Sequence, residues 1–350
     1  MTQSALLLDT SLEDLRPSLL AKIPQLMAAA TIPGLSLAIV RDGDVLWAEG
    51  FGCKHAVTGG AVTPDTVFEG ASFSKPVFAY AVLKLCETGN FDLDTPLTEY
   101  LLEPYIPDDA RLGLITARHV LGHTSGLPNF RAGDKGDLRI ESNPGEKFGY
   151  STEGYFYLQQ AIERVVGVPL DNYMRHHLFM PLGMEDSSYV WMNHFDQTVG
   201  YGHDREGHPS TFKREHKQVK AGSSLHTRPL DFARFLIEMM AVDDGDNYRL
   251  TNFNRQKMLT AHVGVSERIS WGLGRGLEET DCGPALWHWG DMGTYENFTV
   301  AFREQRIGIV IMTNGANGLK VCEEIVGATI GGKHPAFSFP MMKLKKEENT

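Results

Sequence analysis

Phe68-Glu69-Gly70-Ala71-Ser72-Phe73-Ser74-Lys75-Pro76-Val77 runs into an apolar stretch that stops at Gly89-Asn90. Residues 77–88 are apolar on nearly every side, which predicts a buried helix closed by a C-terminal glycine. Ser72 and Lys75 then stand at its start, on one face, because residues three apart are helix neighbours. A helix N-terminus carries unpaired N–H groups and partial positive charge, and both favour an alkoxide on Ser72. A lysine in an apolar, positively biased site can lose its proton near neutral pH and act as a base. Pro76 is tolerated because it falls in the first turn. The bare Ser-x-x-Lys pattern is weak, and a second copy, Ser210 to Lys213, lies in a polar segment with no apolar helix after it.

On the N-terminal side, residues 12–30 repeat apolar positions at helical spacing until Pro33-Gly34. Residues 35–40 and 45–48 are apolar runs around Asp42-Gly43, a hairpin signature. On the C-terminal side, helices are expected at 153–166, 231–240 and 321–329, and strands at Trp287, 298–302 and 307–312. Residues 202–218 are polar and rich in His, Lys and Arg, as an exposed loop is. Strands at both ends with helices between them suggest a discontinuous α/β domain carrying a helical insertion.

The 350 residues carry 33 Lys+Arg against 44 Asp+Glu, a net charge of −11. That balance argues against a nucleic-acid partner, which needs a basic stripe, and against anionic membrane surfaces. A hydrophobic share of 42% and a charged share of 22% exclude a wholly disordered chain. Cys53, Cys86, Cys282 and Cys322 are too far apart for a zinc or redox motif, and are expected to be buried free thiols of a reducing compartment. Met1 to Asp9 lacks the basic start and long apolar run of a secretory signal, and no stretch reaches the ~20 apolar residues of a membrane span. A cytoplasmic protein is therefore expected.

Two further segments carry candidate chemistry. Pro144-Gly145-Glu146-Lys147-Phe148-Gly149-Tyr150-Ser151-Thr152 runs straight into the 153–166 helix, where Ser151 or Thr152 can cap. A tyrosinate at Tyr150, stabilised by a nearby lysine, could shuttle the proton of Ser72. Trp287-His288-Trp289-Gly290-Asp291-Met292-Gly293 precedes the late strands. On an edge strand, His288 and Gly290 could flank a substrate; the glycine admits an acyl group and the next amide serves an oxyanion.

Ser72-x-x-Lys75, Tyr150-Ser151-Thr152 and His288-Trp289-Gly290, in that order, resemble the motifs of the serine β-lactamase and penicillin-binding-protein superfamily. Residues 115–127 and 221–227 are similar too. The resemblance spans roughly residues 20–335 and is nearest the class C-like branch, with its β-lactamases, D-alanyl-D-alanine peptidases and family VIII carboxylesterases. It implies an α+β fold: an antiparallel sheet flanked by helices, from residues 1–90 and 265–350, plus a mainly helical domain of residues 91–264, with the active site between them. It also implies acyl transfer without metal or cofactor. Ser72 attacks, Lys75 and Tyr150 accept and return its proton, and the backbone N–H groups of Ser72 and Asp291 form the oxyanion hole. His288 stands where the family often has lysine. Thr152, Trp289 and Gly290 contact the substrate, a small ester, amide or β-lactam.

Two departures bear on specificity. Thr152 replaces an asparagine common in the family, and Trp289 replaces a hydroxyl residue. With His288 only partly charged, carboxylate recognition weakens. The expectation is a carboxylesterase with little β-lactamase activity. The alternatives are a β-lactamase, a D-alanyl-D-alanine peptidase or D-aminopeptidase, and a catalytically silent structural relative. Gly-x-Ser-x-Gly and His-Glu-x-x-His are absent, which counts against an α/β-hydrolase elbow and a zinc site. Gly272-Leu273-Gly274-Arg275-Gly276 is read as a strand with close backbone packing.

Overall fold

The computed structural model describes residues 5–131 and 138–342. Met1 to Ser4, at the head of the N-terminal segment read above, lie outside the described residues. The chain order is α1 (Leu12–Ala29), β1 (Gly34–Arg41), β2 (Asp44–His55), β3 (Gly59–Ala61), β4 (Phe68–Ala71) and α2 (Ser74–Glu87). It continues with α3 (Ala117–Leu121), α4 (Thr152–Val166), α5 (Leu170–Met174), α6 (Phe195–Thr198), β5 (Leu225–Thr227), α7 (Pro229–Met240) and α8 (Asn252–Met258). The last elements are β6 (Val263–Gly264), β7 (Ile269–Trp271), β8 (Gly276–Thr280), β9 (Gly283–Asp291), β10 (Glu296–Phe302), β11 (Ile307–Thr313) and α9 (Leu319–Thr329).

A nine-stranded sheet runs β3-β2-β1-β11-β10-β9-β8-β7-β6, antiparallel throughout. The Asp42-Gly43 turn has φ of 56° and 87°, the left-handed pair that a two-residue hairpin of this twist needs. β1 then pairs with β11 from the far end of the chain, Leu37 opposite Ile311. Leu35, Leu37 and Ile39 pack against α1 and α9 on one face, while Ala38 and Val40 join the core that contains α2 and α7 on the other. Burial on both faces is why β1 and β11 read as unbroken apolar runs rather than alternating ones. The expected α+β fold, an antiparallel sheet flanked by helices, is what forms. Among the described residues, no helix is long and apolar enough to cross a membrane.

Three local expectations need correction. Gly272 to Arg275 form the turn between β7 and β8 rather than a strand. Their backbone is nonetheless closely packed, since a Cβ on Gly272 would meet the Met258 carbonyl at 2.1 Å. β9 is an inner strand, with β10 and β8 on either side, and not an edge. Its β8 pairing ends at Trp287, however, so His288 to Asp291 leave the sheet's cover on that side and lie against β4 instead. Finally, the four cysteines are free, but only Cys322 is fully buried.

Candidate active site

β4 delivers the chain to Ser72 through a strained elbow. Ala71 has φ of 50°, an uncommon state for a residue with a side chain and one that recurs at functional sites. The elbow is held from several directions. Ser74 Oγ donates to the Ala71 carbonyl at 2.6 Å and accepts from Leu225 N–H at 3.0 Å. The Glu69 carboxylate, 1% exposed, accepts from Arg214 at 3.0 Å, and His216 Nε2 lies 3.1 Å from it. Asn297 Nδ2 donates to the Glu69 carbonyl at 3.0 Å. Ser72 itself stays half-exposed, and its N–H donates to no group among the described residues.

Helix α2 begins at Ser74, so Ser72 sits in the turn that leads into it, with Lys75 N–H donating to the Ser72 carbonyl at 3.1 Å. Lys75 is fully buried. Its Nζ lies 3.0 Å from Ser72 Oγ and donates to the Gly222 carbonyl at 2.8 Å. The amine also faces the rings of Tyr150 and Tyr155, at 4.8 and 5.4 Å from their centroids. Burial drives its pKa well below the usual lysine value. A neutral amine has a lone pair for the Ser72 proton while one N–H holds the Gly222 carbonyl.

Tyr150 is half-buried with its hydroxyl buried. Burial raises its pKa; Ser72 is near enough to offset part of that, while Asp291 adds to it. No hydrogen bond of normal geometry joins the Tyr150 hydroxyl to a partner among the described residues. Ser151 caps α4 by accepting from Gly154 N–H at 2.9 Å. Thr152 points away from solvent and donates its hydroxyl to Asn129 Oδ1 at 2.8 Å.

His288 is fully buried, and burial and then Lys75 hold its pKa well below the ordinary histidine value. Its Nδ1 lies 2.7 Å from the Trp289 carbonyl. The expectation of a partly charged His288 is therefore corrected: desolvation keeps it neutral. Trp289, 3% exposed, shares a face with Trp287 and packs with Trp271 and Phe339. It backs the Tyr150 ring at 4.9 Å and presents no open surface for a substrate. Gly290 meets β4 directly, for a Cβ there would lie 2.3 Å from the Gly70 carbonyl. Asp291 follows at the end of β9.

Gly290→Ala is expected to push β9 away from the nucleophile elbow and cost about 1–3 kcal/mol of stability, as overpacking does. A melting curve together with turnover checks this; an unchanged melting point and rate would mean that the close approach is dispensable.

The sequence reading missed two partners. His123 lies against the Tyr150 ring, centroids 4.2 Å apart. Asn129 accepts from both the N–H and the hydroxyl of Thr152. A histidine inside the Gly/Ser-rich turn 122–126 was the available signal for the first. Nothing local marks the second, which is distant in sequence from Thr152. The other Ser-x-x-Lys copy is apart from the site, with Lys213 Nζ donating to the Asp196 carbonyl at 2.7 Å. Its loop, residues 202–218, is not exposed throughout as expected, since His203 and His216 are buried. In it Asp204, Glu206 and His208 bring ligand atoms within 4.8 Å of one another, a grouping the histidine spacing did not suggest. The Asp204 carboxylate is already engaged by the Glu206 and His208 backbone N–H groups at 3.0 and 2.8 Å.

A family model described as Beta-lactamase matches residues 19–324. Penicillin-binding protein 4 of Amycolatopsis lactamdurans is 27% identical, over 88% of this chain and 89% of that protein. Protein flp of Staphylococcus aureus (strain MW2) is 24% identical over 81% of this chain, which spans only 60% of that relative. Among solved structures, the octameric penicillin-binding protein homologue from Pyrococcus abyssi superposes with a TM-score of 0.77 at 24% identity, over 95% of this chain and 80% of that one. The D-alanine carboxypeptidase AmpC from Burkholderia cenocepacia also gives 0.77, at 20% identity, over 90% and 99% of the two chains.

Proposed function

Because the chain belongs to the Beta-lactamase family, within the serine β-lactamase and penicillin-binding-protein superfamily of serine hydrolases, we propose that it cleaves esters through an acyl-enzyme on Ser72, with little activity on β-lactams. The observation that carries the chemistry is the 3.0 Å approach of Lys75 Nζ to Ser72 Oγ in a site whose burial lowers the amine's pKa well below the usual lysine value. Lys75 takes the Ser72 proton as Oγ attacks the ester carbonyl. The Ser72 N–H, with that of Asp291, receives the oxyanion. Tyr150 protonates the departing alkoxide and regains its proton from the Lys75 ammonium. Water then attacks the acyl-enzyme and gives its proton to Lys75, which returns it to Ser72 Oγ as the carboxylic acid is released.

The ester preference rests on charge. A substrate carboxylate needs a cation beside the nucleophile. His288, at the place that would supply one, is buried and neutral, and Arg214 is committed to Glu69. The second reading, a D-alanine carboxypeptidase or β-lactamase, is favoured by the names of the similar proteins: a penicillin-binding protein and a D-alanine carboxypeptidase.

Intact mass after exposure to a fluorophosphonate and, separately, to a penicillin tests the choice, with Ser72→Ala as control. The expected result is a phosphonate adduct on Ser72 alone, with turnover of short-chain esters exceeding that of a chromogenic cephalosporin or a D-alanyl-D-alanine peptide by about 100-fold or more. A penicilloyl adduct that forms readily on Ser72, or faster peptide cleavage, supports the second reading. No adduct from either reagent overturns both.

A further inference from the structure

His123 follows Gly122 at the end of α3, and three of its contacts bracket one residue. Its carbonyl accepts from Gly149 N–H at 2.8 Å. Its Nδ1 accepts from Ser151 N–H at 3.1 Å. Its ring lies against that of Tyr150, which stands between those two amides, with centroids 4.2 Å apart and planes 32° apart. The backbone of His123 is itself strained, with φ of 55°. A strained residue that is not glycine persists only where the surrounding structure over-determines it, and such positions cluster at active sites.

Resting on the Ser72–Lys75–Tyr150 reading above, we propose that His123 is the positioning residue that sets Tyr150 for proton delivery to the leaving group. The bond from Ser151 N–H requires Nδ1 as an acceptor, so the imidazole is neutral with its proton on Nε2. Its surroundings favour that state: His123 is fully buried, and burial holds its pKa well below the ordinary histidine value. Tyr155 and Trp271 close the ring in, at 5.4 and 5.2 Å. The Tyr150 ring is packed between His123 and Trp289, and His123 also holds the backbone on both sides of it. Ser72 and Lys75 keep their own contact without it, because their partners are each other and the Gly222 carbonyl.

This division gives a leaving-group signature. A nitrophenolate departs without protonation, whereas an ethoxide needs the proton that Tyr150 carries. His123→Leu is compared with wild type and Tyr150→Phe on p-nitrophenyl butyrate and ethyl butyrate, with melting curves and the rate of Ser72 labelling by a fluorophosphonate. The expected loss in kcat is about 100-fold on the ethyl ester and no more than about fivefold on the nitrophenyl ester, with KM and labelling within about threefold, the pattern expected of Tyr150→Phe. His123→Asn places an amide oxygen near the position of Nδ1 and is expected to recover at least about tenfold of the ethyl-ester loss. Should His123→Leu fail to fold, His123→Phe, which keeps a ring on Tyr150 and drops the acceptor, is read the same way. Equal losses on both esters, or none, in a variant that melts like wild type overturn the proposal. If wild type turns over neither ester, the esterase reading falls, and the role assigned to His123 falls with it.

Discussion

Ser72→Ala is expected to lower kcat/KM by about 10,000-fold or more on every substrate the protein accepts, because without Oγ no acyl-enzyme forms. The fold should hardly notice. Ser72 is only partly buried, and Lys75 Nζ, 3.0 Å from its Oγ, keeps the Gly222 carbonyl. The loss in stability should stay near about 1 kcal/mol, the net worth of one hydrogen bond. A variant that melts like wild type, takes no phosphonate and hydrolyses nothing is the expected outcome. Retained turnover would place the nucleophile elsewhere, and retained labelling would do so even if turnover were lost.

Lys75→Arg is expected to cost about 1,000-fold or more in kcat, since a guanidinium keeps its proton and cannot serve as the base. The pH dependence gives a finer test. Burial lowers the Lys75 pKa in the folded chain, whereas the unfolded chain has the ordinary value near about 10.4. Between those two values the unfolded state binds the extra proton, so stability rises with pH across that window. The contribution is full above the unfolded value and is lost as the pH falls through the folded one. Activity follows the same titration: kcat/KM should climb with pH on an acid limb below the usual lysine range. Lys75→Met should remove the limb together with the activity, and raise stability at neutral pH by lifting the cost of a buried amine. A pH profile without an acid limb in wild type, or one that survives in Lys75→Met, would show that another group is the base. His123 and His288 are poor candidates for that limb, because both are held well below the ordinary histidine value.

Much of the site was legible because it is local. Ser72 and Lys75 are three residues apart where a turn enters an apolar helix, so their contact follows from local geometry. Ser151 as the cap of α4 is likewise a matter of residue type and position. Trp289 shows a local signal that was misread. Strand alternation puts it on the same face as Trp287, two residues earlier, and both rings pack with Trp271 and Phe339. With both rings turned into the core, Trp289 keeps only 3% of its surface exposed for the substrate contact expected of it. Asn129 shows the converse. Its bond to Thr152 joins the loop after α3 to the start of α4, and no spacing rule connects them.

The sequence by itself determined the N-terminal helix and hairpin, helices α2, α4, α7 and α9, strands β10 and β11, the contact of Ser72 with Lys75, and the superfamily in which those motifs occur in this order. Each depends on interactions within a few residues or on a pattern that can be read directly. The tertiary structure decided the charge states. Burial drives the Lys75 pKa well below the usual lysine value, in a pocket that Gly222, Tyr150 and Tyr155 from elsewhere in the chain close over. His288 is neutral because the residues around it exclude water. It also decided that His123 grips the backbone on both sides of Tyr150. Ionisation depends on desolvation, desolvation depends on every neighbour, and those neighbours come from parts of the chain that only folding brings together.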